Sequence, residues 1–144
     1  MKLINPYYQY VRDGEKKYEI RINDEKRQLF QIGNVIQITF NDKIGNIYVD
    51  KPNYFVRVTE KNLYKNFREA IIDSGIRNVL PNVSDTEEGI SIYENFMHRD
   101  GLFKHVALKY GIVRFKFQVI DTNSNNNTNT NTYTNTNTNT NTNN

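Results

Sequence analysis

The final 22 residues, Asn123 to Asn144, comprise 12 Asn and 8 Thr with Ser124 and Tyr133, and they carry no charge and no aliphatic side chain. Such a stretch cannot bury enough apolar surface to offset an ordering cost of roughly 1–2 kcal/mol per residue. Residues 122–144 are therefore expected to form a disordered low-complexity tail. Alternating Asn and Thr is also a composition that forms polar zippers, although repeat expansion without function is the simpler account. Everything specific falls to residues 1–121. About 120 residues support one core that buries roughly two thirds of the surface exposed by the unfolded chain.

All 19 Lys and Arg and all 16 Asp and Glu precede the tail, so this domain carries the whole formal charge of +3. That balance permits an anionic partner without demanding one. The absence of Cys removes disulfides, thiol nucleophiles and Cys-rich zinc sites together. No run approaches the ~18 apolar residues of a membrane span, and Met1 to Pro6 lacks a signal-peptide core. The expectation is a soluble cytoplasmic protein with no membrane partner; a nuclear location stays open.

Within the domain the apolar period switches repeatedly between strand and helix. Pro6 to Arg12, with Tyr7, Tyr10 and Val11 on one stripe and Asn5 as cap, predicts a short helix closed near Gly14. Tyr18, Ile20 and Ile22 alternate with Lys17, Glu19 and Arg21, a half-buried strand. Val35 to Phe40, Ile47 to Val49 and Tyr54 to Thr59 read as strands, with turns at Asn41–Gly45 and Asp50–Asn53. Asn66 to Asp73 reads as a helix. Overlapping capping boxes at Ser84–Glu87 and Asp85–Glu88 announce another, which carries Ile90, Tyr93 and Met97. Gly89 inside it costs about 1 kcal/mol against Ala, so packing should favour it. Asp100–Gly101 interrupts, and Leu102 to Tyr110 forms one more short helix. Val113, Phe115, Phe117 and Val119 alternate with Arg114, Lys116 and Gln118, a strand with one wet, basic face. Strands are not regularly separated by single helices, so a doubly wound sheet is disfavoured. The pattern fits an α+β domain whose mixed sheet of five or six strands curls into a small barrel with short helices inserted.

The most informative stretch is Gly14-Glu15-Lys16-Lys17-Tyr18-Glu19-Ile20-Arg21, of the form G-x-K-x-x-E-x-R. Glu19 and Arg21 are two apart on a strand and share a face, and Lys16 can reach that face from the preceding turn. An ammonium, a carboxylate and a guanidinium converging at the mouth of a barrel can hold a phosphate or hydrogen-bond a base edge. The same cluster can instead lower the Lys pKa and make it a general base. Charges on a strand's polar face are more commonly a solvated ion-pair ladder, worth about 0.2–1 kcal/mol per pair.

The eight-residue spacing resembles the signature of the ASCH domain family, a branch of the PUA-like superfamily. Ile32-Gly33-Asn34-Val35-Ile36 is similar to the family's V-G-D-x-I strand entry, with Asn34 where Asp is common. Phe67 to Ile72, Leu80-Pro81, Glu87-Glu88-Gly89-Ile90 with Tyr93, and Ile112 to Phe117 resemble its later landmarks, in order. The resemblance spans Met1 to Val119. It implies a PUA-like pseudobarrel with a cleft for RNA or a modified nucleoside. It also implies a link to relatives that hydrolyse N4-acetylcytidine with a Lys, a Thr and a Glu. Lys16 falls on the family Lys, whereas Glu19 stands at the position of that Thr, so the hydroxyl of the hydrolytic route is missing. Glu87 or Glu88 would be the matching later carboxylate.

Candidate ligand contacts are accordingly Lys16, Glu19 and Arg21. Arg57, Arg114 and Lys116 form a possible phosphate strip, and Tyr8 is a stacking surface off the apolar stripe of its helix. If the protein is an enzyme, Lys16 and Glu19, with Glu88 behind them, are the catalytic candidates. His98 and His105 have no partners at zinc-ligand spacing, so no metal is expected. No phosphate loop, dinucleotide fingerprint or nucleophile elbow is present, and no cofactor is expected. Three functions compete, in this order: a module binding RNA or a modified nucleoside, an amidohydrolase acting on an acylated nucleoside such as N4-acetylcytidine, and an inert scaffold assembled through the tail.

Overall fold

The computed structural model describes residues 1–97, 102–120 and 132–133. His98, the Asp100–Gly101 interruption and most of the Asn/Thr tail lie outside them. The strands are β1 (Lys2–Leu3), β2 (Tyr18–Ile22), β3 (Val35–Phe40), β4 (Asp42–Ile44), β5 (Ile47–Val49), β6 (Tyr54–Tyr64), β7 (Ile112–Ile120) and β8 (Thr132–Tyr133). Between them lie α1 (Tyr7–Asp13), α2 (Glu25–Gln28), α3 (Phe67–Ser74), α4 (Ile76–Val79), α5 (Thr86–Met97) and α6 (Leu102–Tyr110).

The sheet runs in the order β1-β3-β6-β7-β2 and curls into a half-barrel. β1 is parallel to β3, and the remaining neighbours on this path are antiparallel. Thr132 and Tyr133 pair in parallel with Val35 and Ile36, on β3. β4 and β5 make a separate hairpin where the sequence predicts only a turn before β5. The α+β curled sheet expected from the alternating periods is what the chain forms.

Two cores sandwich this sheet. Tyr8, Ile36, Ile38, Val56, Val58 and Phe115 pack on one side. Ile20, Ile71, Val79, Leu80, Ile90 and Ile112 join the helices to the other. Burial corrects the wet, basic face predicted for the last strand only at Arg114, which is buried under α3, whereas Lys116 and Gln118 on that face stay partly or fully exposed. Val119, predicted inward, is exposed. β6 also outruns its predicted end at Thr59. A bulge between Val58 and Glu60 inverts the alternation there, so one period-2 pattern cannot follow the strand through.

Local chemistry sets the ends of the helices. Gly14 closes α1 in the left-handed region at φ 81°, a conformation that costs a side-chain-bearing residue more than glycine. Asn5 does not cap α1; the residue before the helix is Pro6, without a side-chain cap bond. Asp24 caps α2 by accepting from Arg27 N, and Asn66 caps α3 by accepting from Glu69 N. At α5 the capping carboxylate is that of Asp85, which accepts from Glu87 N at 3.2 Å. Gly89 is explained by packing, since a Cβ there would stand 2.1 Å from Ile76 Cδ1. Its absence leaves room for the Ile76 side chain of α4 against α5.

Candidate functional site: a cleft at the open seam of the sheet

β1 and β2 end the sheet path, and both line one cleft of about 400 Å³. Lys2, Leu3 and Ile4 form one wall and Glu19 to Ile22 the other. Leu80, Ile92, Tyr93 and Val106 cover it from the helical side. Arg21 laces the seam, donating from Nη2 to the carbonyl of Lys2 at 2.9 Å. Where the ladder fails to close, a side chain makes the crossing.

The turn into β2 places the rest. Lys16 N donates to Tyr10 O at 3.0 Å and Lys17 N to Asn78 O at 2.8 Å, so this segment is fixed between α1 and α4. The Lys16 side chain, only 3% exposed, is thereby turned inward. Its Nζ donates to Val79 O at 2.5 Å and to the Tyr93 hydroxyl at 3.2 Å, and lies 3.5 Å from Glu19 Oε1. Glu19 Oε2 accepts from Arg21 Nε at 2.7 Å. Glu19 Oε1 is buried without a hydrogen-bond partner. Its close polar neighbour is the Lys16 ammonium at 3.5 Å, so this oxygen is charge-compensated but short of a hydrogen bond.

Charge in this group is mutually stabilised. Burial pushes the Glu19 carboxyl up, but the ammonium of Lys16 and the guanidinium of Arg21 outweigh it and hold the group below its ordinary range. Burial lowers the Lys16 ammonium, with Arg21 acting in the same direction and Glu19 opposing them. Tyr93 is raised well above its ordinary value by burial and by the Glu19 charge, and stays a phenol. Since that phenol accepts from Lys16, its own proton is directed elsewhere. Glu19 and Tyr93 thus both line the cleft, each held by Lys16.

Lys16, Glu19 and Arg21 therefore line one concavity; the other sequence candidates do not. Arg114 is a buried pin beneath α3, donating to Ser74 Oγ and Asn62 Oδ1, each at 2.8 Å. Its guanidinium lies 4.0 Å from the Tyr18 ring centre. Arg57 donates to Gly33 O at 3.1 Å, and Lys116 pairs with Glu60 at 3.5 Å. These three make no common strip at the cleft. Tyr8 is buried, its hydroxyl bonded to Pro52 O and its ring edge-on to Phe40 and Tyr54. Tyr7 takes the place in the cleft lining that Tyr8 was expected to offer. The cause is the length of α1: in seven residues, Tyr8 and Val11 make as good a stripe as Tyr7 and Val11. Glu88 is exposed on α5, and Glu87 pairs with Arg68 at 2.6 Å away from the cleft. His105 is exposed, and no group of His, Asp and Glu that could hold a metal occurs among the described residues.

Lys2, Asp24 and Arg27 also line the cleft, and sequence reasoning passed over them. Their one local signal is the Asp24–Arg27 spacing of three, which makes both a helix cap and an ion pair of 3.1 Å.

Fold and cleft together define a class: a half-barrel left open along one seam, with a buried Lys–Glu–Arg group at the opening. The chain is similar to the hypothetical protein PH0355, whose crystal structure superposes with a TM-score of 0.65 at 32% identity, over 83% of this chain and 96% of that one. It is also similar to protein PF0455 from Pyrococcus furiosus, known from a solution NMR structure, with a TM-score of 0.58 and 30% identity over 84% and 99% of the two chains. The chain belongs to the family of these proteins, whose names assign no activity. No family model matches the sequence, and no curated protein does.

Proposed function

We propose that residues 1–121 are a PUA-like module of the ASCH type that binds RNA or a modified nucleoside in the seam cleft. The observation that carries this reading is the convergence of Lys16, Glu19 and Arg21 on one cleft, with Glu19 ion-paired to both cations and its Oε1 without a hydrogen bond. A cleft of about 400 Å³ is of the size that accepts small organic ligands. Glu19 accepts from an exocyclic amine, Tyr93 donates to a ring nitrogen or carbonyl, and Arg21 faces a phosphate or base edge. Titration with single-stranded RNA and with nucleosides at low salt tests it. Arg21→Ala is expected to abolish a salt-sensitive interaction that Arg57→Ala and Lys116→Ala leave unchanged. No binding to any RNA or nucleoside by the folded protein overturns it.

The amidohydrolase reading is favoured by one observation, the burial that lowers the Lys16 ammonium toward the range of a general base. Against it, all three Lys16 protons face acceptors at Val79 O, Tyr93 and Glu19, an arrangement that suits a cation better than a free amine. Incubation with N4-acetylcytidine and detection of cytidine decides between them, and no turnover is expected.

A further inference from the structure

We propose that the rim of the cleft is a phosphate subsite, formed by Lys2 and Arg27 with Lys26 beside them, so that the ligand is a nucleotide rather than a free nucleoside. This rests on the nucleoside-binding reading of the cleft and supplies its charged half.

The cleft lining holds four cations, Lys2, Lys16, Arg21 and Arg27, against two carboxylates, Glu19 and Asp24. Most of the chain's net +3 is therefore gathered at one opening. The two carboxylates are already engaged. Glu19 lies between Lys16 and Arg21, and Asp24 accepts from the backbone and the Nη1 of Arg27. Neither Lys2 nor Lys26 has a carboxylate within ion-pair distance among the described residues, and both are exposed. Arg27 Nε is buried without an acceptor.

These cations also act on one another. Burial lowers the Lys26 ammonium, and the charges of Arg27, Lys2 and Arg21 lower it further, against Asp24. Burial and the charge of Arg21 act likewise on Arg27. Like charges held this close have an unfavourable interaction that a neutral nucleoside leaves in place and a phosphate relieves. A guanidinium on a side chain 21% exposed and two exposed ammonium groups are a donor set matched to phosphate oxygens. The arrangement also divides labour: Glu19 and Tyr93 at the floor face the base, and the rim on β1 and α2 faces the phosphate. Mononucleotides and RNA share that chemistry.

The test is a matched series titrated calorimetrically at low salt: a nucleoside, its 5′- and 3′-monophosphates, and a short oligoribonucleotide carrying the same base. At least one monophosphate should bind about tenfold or more tighter than the nucleoside, the scale of one or two charge-assisted contacts. The Lys2→Gln, Lys26→Gln double variant, altered only at exposed side chains, should lose most of that preference. An oligonucleotide bound tighter still identifies the phosphate as that of RNA, whereas parity with the monophosphate identifies a free nucleotide. Equal affinity for nucleoside and nucleotide, or a preference the double variant retains, overturns the phosphate subsite while leaving the nucleoside reading intact. Failure of every member of the series to bind overturns both.

Discussion

Arg114 on β7 and Lys16 at the entry to β2 are both buried cations on neighbouring strands, and their partners set them apart. Arg114 is held by the protein: Ser74 and Asn62 take its terminal nitrogens, Asp73 lies 3.4 Å away, Tyr18 and Tyr64 lie against its plane, and its Nε, buried without a hydrogen bond, lies outside the cleft lining. Lys16 is likewise fully engaged, but the Glu19 oxygen beside it has only an ion pair at 3.5 Å and no hydrogen bond, and it belongs to a residue lining a cavity. Burial of charge alone therefore does not mark a functional site. A spare hydrogen-bonding atom at a hollow does.

The largest effect expected from this contrast is on Lys16. Lys16→Met keeps the length of the side chain and removes the charge, which leaves Glu19 buried with Arg21 alone and Val79 O without its donor. Breaking a buried pair by deleting one partner costs about 3–5 kcal/mol, read as a shift of the urea unfolding midpoint. A loss below about 1 kcal/mol, the value of a solvated pair, would show that water reaches the group and would break the comparison from one side.

Arg114→Met tests the other side. It removes two good hydrogen bonds and a stacked cation while keeping the apolar stem, so a loss of about 1–3 kcal/mol is expected. Ligand affinity should be unchanged, because no Arg114 atom lines the cleft. If affinity falls in step with stability, the two clusters act as one and the division fails.

The contrast was half legible in the sequence. Gly14, Lys16, Glu19 and Arg21 are close in the chain, and strand geometry alone puts the last two on one face, so their convergence needs little tertiary information. Arg114 is different. Its strand reads as half wet because the alternation is clean, and only the packing of α3 over the start of the strand buries Arg114. The same limit hid Arg27 and Lys2, which come to the cleft because β1 and β2 end up facing across the seam. Tyr8 and Tyr7 exchanged places because two turns of helix support two apolar stripes. The extension of β6 escaped because a bulge shifts its alternation by one. Local periods carry elements, but not which faces other elements will cover.

Acid should separate wild type from Glu19→Gln. The folded Glu19 carboxyl is held below its ordinary value of 4.5, so its charge contributes stability that is present above that value and lost as pH falls through the folded one. Gln is uncharged throughout. The difference in melting temperature between the two proteins should therefore be largest near neutrality and shrink as pH falls below 4.5. A difference that stays constant with pH would mean that the carboxylate's charge is not what the lysine and arginine stabilise.

The smallest effect belongs to the ion pair with the better geometry. Arg68 meets Glu87 through two bonds, 2.6 and 2.9 Å, whereas Lys16 and Glu19 stand 3.5 Å apart. Distance alone would rank the Arg68 pair first. Both of its side chains are at least half exposed, however, at 51% and 66%, so water and salt screen the attraction and two flexible side chains lose freedom in forming it. Arg68→Ala should leave the unfolding midpoint unchanged within error in moderate salt, and ligand affinity unchanged at any salt. A drop comparable to that of Lys16→Met would show that α3 and α5 depend on this bridge to hold Tyr93 over the cleft, making an exposed pair a support of the site.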